Sequence, residues 1–164
     1  MRIYTLIAFF VPSFLFAQSP TMDSAYDLFA NGDLEEAILQ YNQLESSQTT
    51  NAEFYFLRGS CLSELGADAK AITDLNVSIS LDATNANAFY QRGFSYFSLS
   101  NSEMALSDFN STIALDATYG EAFLNRGTIK YDLGKSEEAC ADWKQSLALG
   151  LNIAESLIGQ LCEQ

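Results

Sequence analysis

Histidine is absent from the 164 residues and cations are few, with eight Lys and Arg against 21 Asp and Glu for a net charge of -13. Without imidazole the chain lacks the commonest general base and the commonest metal ligand, which removes the central residue of most hydrolase and zinc-enzyme sites. The cation deficit makes the surface repel phosphate backbones and anionic lipid, so DNA and RNA are excluded as partners. Proline occurs twice and glycine nine times, whereas Phe and Tyr number 12 and 8. With 48% apolar and 18% charged side chains the composition can bury a core and is not that of a disordered chain. One domain of helices packed through aromatic rings is expected, with no cofactor.

A single long apolar run exists. Residues Ile3 to Phe16 follow Arg2 and end at Ala17, before the polar Gln18-Ser19-Pro20, which is the pattern of a secretory leader. The run is shorter than the roughly 20 residues that span a bilayer as a helix, and Pro12 interrupts it. Cleavage is expected after Ala17, although Leu15 stands where a small residue is usual; a retained anchor is the alternative. The mature protein would then be periplasmic or secreted, without stable membrane insertion, and more acidic still because Arg2 departs with the leader.

The remainder repeats. Arg58-Gly59, Arg92-Gly93 and Arg126-Gly127 recur at a step of 34 residues, as do Ala71, Ala105 and Ala139, and Asp74, Asp108 and Asp142. The segments Leu81 to Thr84 and Leu115 to Thr118 are the same four residues in type. Gly32 and Ala37 fall one step earlier, so four copies are set at 18–51, 52–85, 86–119 and 120–153. Within a copy the apolar spacing is helical twice over, first through Phe89, Tyr96 and Phe97, then through Ala105, Phe109 and Ile113. Gly66-Ala67-Asp68, Ser100-Asn101-Ser102 and Gly134-Lys135-Ser136 are the turns between. Thr50 with Glu53, and Thr118 with Glu121, fit capping boxes opening the first helix of a copy. Asn152 with Glu155 does the same for a closing helix of about 153–162, whose stripe is Ile153, Leu157, Ile158 and Leu161.

Each Arg precedes an Asp by 16 residues, a separation that sets the two opposite each other across an antiparallel helical hairpin. Arg58 with Asp74, Arg92 with Asp108 and Arg126 with Asp142 are therefore expected as structural ion pairs, while Ser24 faces Gln40 in the first copy. Glycine inside a helix costs about 1 kcal/mol relative to Ala. Its recurrence at positions 59, 93 and 127 implies close helix approach there.

The period, the aromatic-x-x-Arg-Gly segments at Tyr55 to Gly59, Phe89 to Gly93 and Phe123 to Gly127, and the pairs Ala71/Leu75, Ala105/Phe109 and Ala139/Trp143 resemble tetratricopeptide repeat proteins. Arg replaces the usual Leu before Gly, Ala83 and Ala117 stand where Pro often ends the repeat, and the first copy lacks the aromatic and Arg-Gly, as a terminal cap would. The resemblance implies an all-α, right-handed solenoid of antiparallel helix pairs with a C-terminal capping helix. It also implies a concave groove lined by the first helices. Carried onto this chain, the lining is Met22, Tyr26 and Phe29, then Phe56 and Ser60, then Tyr90, Phe94 and Phe97, then Leu124, Thr128 and Tyr131. Relatives that clamp an acidic carboxylate use Lys, Arg and Asn there. Here Phe56, Tyr90, Phe94 and Leu124 replace them, and Glu53, Glu64, Glu121 and Asp132 ring the groove, which suits an apolar or basic segment. Some of these rings are equally readable as inter-repeat core.

Cys140 shares a stripe with Trp143 and Leu147, and Cys162 lies beside Ile158, so the two meet at one seam as a disulfide or as two buried thiols. A bridge would contribute roughly 3 kcal/mol. Cys61 is expected as a packed thiol, with no His or nearby Lys in sequence to activate it. The pairs Glu35-Glu36 and Glu137-Glu138 have the form of acid/base couples but fall in first helical turns, where negative charge complements the helix dipole. Asn31-Gly32-Asp33-Leu34-Glu35 does not match a calcium loop, and the sequons at Asn76 and Asn110 fall on helices. The function expected is a non-enzymatic protein–protein interaction module. An assembly helper that holds exported proteins is the alternative, and an enzyme using acidic residues is a third reading with little support.

Overall fold

The computed structural model describes residues 19–48 and 50–162. The leader expected at 1–17, with cleavage expected after Ala17, lies outside the described residues. Among the described residues nine α-helices follow in order: α1 (Met22–Asn31), α2 (Leu34–Leu44), α3 (Ala52–Glu64), α4 (Asp68–Leu81), α5 (Ala86–Ser98), α6 (Ser102–Leu115), α7 (Gly120–Asp132), α8 (Ser136–Ala148) and α9 (Ile153–Leu161). A 3-10 turn at Glu45–Ser47 extends α2, and the described residues contain no strand. Four antiparallel pairs and a closing helix thus form an all-helical solenoid. Each helix packs on the next in the chain; in addition α1 touches α3 and α3 touches α5, so the first helices adjoin along one side. Among the described residues no helix is long and apolar enough to cross a membrane.

The recurring glycines let each second helix approach its partner. A Cβ on Gly59 would sit 2.9 Å from the Leu75 side chain, and one on Gly127 2.8 Å from the Trp143 indole. Those facing residues, with Tyr41 and Phe109 at the matching positions, are fully or almost fully buried and centre the repeat cores. Burial of each such side chain stabilises by roughly 1.5–3 kcal/mol.

The helix starts differ from the sequence expectation. α3 is capped by Asn51, whose side chain accepts from the Phe54 amide, rather than by Thr50, and α5 is capped likewise by Asn85. Thr118 caps nothing: its amide and hydroxyl both donate to Asp116 Oδ1, at 2.8 and 2.7 Å, so a tight acidic turn consumes it and α7 begins without a side-chain cap. Asn152 is itself in helical conformation, which turns its side chain away from the capping role. A reciprocal capping box does occur at Thr21 and Ser24, where α1 starts. On α9 the covered face is Ala154 and Ile158, flanked by Leu157 and Leu161, while Ile153 points to solvent with 66% of its surface exposed.

Candidate interaction face

A charged ladder links successive pairs. Arg58 donates through Nε and Nη2 to both carboxylate oxygens of Asp74, at 2.7 and 2.8 Å. Arg92 grips Asp108 and Arg126 grips Asp142 in the same two-pronged way. Each guanidinium also reaches into the preceding repeat, where Nη1 donates to Asn42, Asn76 or Asn110. The sequence reading met Asn76 and Asn110 only as sequons and passed over Asn42, although all three keep the 34-residue step and precede each Arg by the same 16 residues. The cations lie over aromatic faces as well, Arg58 over Phe54 at 5.0 Å and Arg126 over Phe123 at 5.2 Å. The hydrogen bond to Asp74 raises the Arg58 pKa further, and that to Asp108 does so for Arg92. Glu45 joins Arg58 at 3.0 Å, and this bond holds its carboxyl below the usual range. A cavity of about 360 Å³ opens beside Arg58, against Ile38, Lys70 and Thr73.

The inner side is built from the first helices, and the structure divides the residues assigned to it. Tyr26 and Phe94 are exposed, at 49% and 38% of their surfaces. Met22, Phe29 and Phe56 are half-buried against the cluster around Tyr41 and Phe54. Tyr90 and Phe97 pack on the cluster around Phe109, and Leu124 and Tyr131 on that around Trp143. The Tyr90 ring lies 4.7 Å from that of Tyr119, its hydroxyl accepts from Asn125 at 3.1 Å, and burial pushes its pKa up. Ser60 is buried and donates to the Phe56 carbonyl, and Thr128 donates to that of Leu124. Glu53, Glu64, Glu121 and Asp132 are all exposed around these residues. At the first boundary Met22, Asp23, Tyr26, Glu53 and Leu57 line a pocket of about 170 Å³. Asp23 and Leu57, which also line it, were not among the residues expected from the sequence.

Cys140 and Cys162 are joined by a disulfide with Cα atoms 5.8 Å apart, which ties α9 to α8. Cys61 is a free, fully buried thiol whose pKa desolvation pushes up to about 12, a form unsuited to nucleophilic attack. Glu35, Glu36, Glu137 and Glu138 are exposed in the first turns of α2 and α8. Among the described residues no group of His, Cys, Asp and Glu side chains is arranged to hold a metal ion. The sequon asparagines Asn76 and Asn110 are engaged by Arg92 and Arg126, and Ser78 and Thr112 of the same sequons are fully buried.

The stack of antiparallel two-helix units is a fold shared with solved tetratricopeptide solenoids. Residues 52–85 match the family model described as tetratricopeptide repeat. No curated protein matches the chain in sequence. Among solved structures, a MamA protein is similar at 25% identity and a TM-score of 0.78, over 87% of this chain and 79% of its own. The first TPR of Spaghetti (RPAP3), bound to the HSP90 peptide SRMEEVD, is similar at 25% identity and a TM-score of 0.66, over 68% and 89% of the two chains. The Thermus thermophilus protein TTC0263 shares the fold at 19% identity and a TM-score of 0.67, over 78% and 72%.

Proposed function

We propose that this chain is a non-enzymatic interaction module that binds an extended segment of another protein along the side formed by α1, α3, α5 and α7. The observation that carries the reading is the solvent-open pair Tyr26 and Phe94 on the first-helix wall, set among exposed carboxylates. Rings left in water on an otherwise packed wall suit burial against a partner. The peptide-bound state of the Spaghetti neighbour supports use of this fold for segments. Its peptide carries acids, however, and the acidic rim here favours an apolar or basic segment instead. The module acts outside the cytoplasm once residues 1–17 are removed, a reading the Cys140–Cys162 bridge favours and N-terminal sequencing of the exported chain tests.

Selection of random dodecapeptides on the immobilised chain tests the groove. Peptides recovered on the wild type should lose at least about tenfold in affinity on the Tyr26→Ala/Phe94→Ala variant, since buried aromatic anchors contribute about 2 kcal/mol each. The helical circular dichroism should not change. Equal affinity for both proteins would refute binding on this wall.

A further inference from the structure

We infer that the pocket between α1 and α3 receives one cationic side chain of the bound segment, a Lys or Arg whose head lies between Asp23 and Glu53 and whose stem lies on Tyr26, Met22 and Leu57. This deepens the interaction reading and rests on it.

The repeat register makes the pocket distinctive. Asp23 and Glu53 face the first boundary, and one 34-residue step further the same two positions are Leu57 and Asn87, then Gln91 and Glu121. The inner wall therefore carries two carboxylates at its first boundary, none at the second and one at the third. The exposed-ring position follows the same inequality, being Tyr26, the buried Ser60 and Phe94 in turn. Only the first boundary joins two acids to an aromatic face, the combination that holds an ammonium or guanidinium by charge and by the ring quadrupole.

Neither acid is engaged already. The ion pairs among the described residues use Glu45, Asp74, Asp108, Glu138 and Asp142, and leave out Asp23 and Glu53. Arg58, the cation on α3, is held by Asp74, Asn42 and Glu45. The cavity volume of about 170 Å³ has room for one side chain and not for a folded element. An alternative role for both acids is to complement the N-terminal dipoles of α1 and α3, in whose first turns they lie.

The experiment uses dodecapeptides selected on the full mature chain. One position should be enriched in Lys or Arg, and a synthetic peptide with citrulline there should bind about tenfold more weakly. Raising salt from 50 to 500 mM should weaken the Arg peptide and leave the citrulline peptide almost unchanged. Asp23→Asn/Glu53→Gln should remove the preference for Arg over citrulline while retaining the loss caused by Phe94→Ala. Selected peptides that bind the wall in a Phe94-dependent way but show no basic position would overturn the pocket and leave the groove standing. A double variant that changes melting temperature without changing the Arg-to-citrulline ratio would assign both acids to the helix dipoles and overturn it too. If no peptide binding depends on Phe94, the groove reading fails and the pocket with it.

Discussion

In the first helix pair Ser24 and Gln40 meet through a neutral hydrogen bond of 2.6 Å, whereas at the same register in the third pair Arg92 and Asp108 meet through a charged, two-pronged one. The buried residue facing α1 is Tyr41, with its hydroxyl unpartnered, where the later pairs place Leu75, Phe109 and Trp143. Among the described residues the first pair has a neighbour on one side only, with no preceding asparagine for an arginine at position 24 to engage. Instead Arg58 of the second pair reaches back to Asn42 and Glu45. The far end is closed differently, by α9 and a covalent bond. In a stack whose stability is a sum of unit and nearest-neighbour terms, these choices make the amino end the softer one. They also leave the proposed cation pocket at the place where helices can adjust most easily to a ligand.

The largest effect expected from this contrast follows loss of an internal carboxylate. Asp108→Ala leaves Arg92, 16% exposed at its side chain, without its counter-charge and should cost about 3–5 kcal/mol in urea unfolding. Gln40→Ala, which deletes the neutral bond in the first pair, should cost about 1 kcal/mol. Equal losses would erase the distinction between the two regions. Reduction of Cys140–Cys162 comes next, at roughly 3 kcal/mol. Hydrogen exchange should rise in α9 first and leave α1 unchanged; a uniform rise would show that the ends are coupled. Tyr41→Phe should do least, leaving stability at neutral pH unchanged or raised by up to about 1 kcal/mol. Burial lifts the Tyr41 pKa, so its contribution is complete below about pH 10 and is lost as pH rises beyond, because the unfolded chain then releases a proton that the native one keeps. The Phe variant should lose less on alkaline titration, with Tyr90, Tyr119 and the buried Cys61 thiol accounting for what remains.

The helix pairs were legible from residues 18 to 153 because the 34-residue step is carried by side chains with strict volume limits, such as Gly127 against Trp143. The Arg–Asp spacing was legible for the same reason. Asn42, Asn76 and Asn110 keep the same step but contact a different repeat, and a search for partners within one repeat passes over them. Thr118 was misread because Asp116, two residues away, competes for its amide and hydroxyl and wins by proximity. The groove residues were only half legible. Tyr26 and Phe29 lie one helical turn apart, yet the first is exposed and the second leans into the cluster around Tyr41, a split that apolar spacing along one helix does not encode.

The asparagine clasp treats every junction alike, and this bears on how such a chain can change length over evolution. Excising residues 86–119 would bring Arg126 to face Asn76, the same partner type at the same distance along the chain that Arg92 has now. Whole units can therefore be duplicated or lost by recombination without redesigning a joint, while the two dissimilar ends stay behind as the fixed bookends of the array.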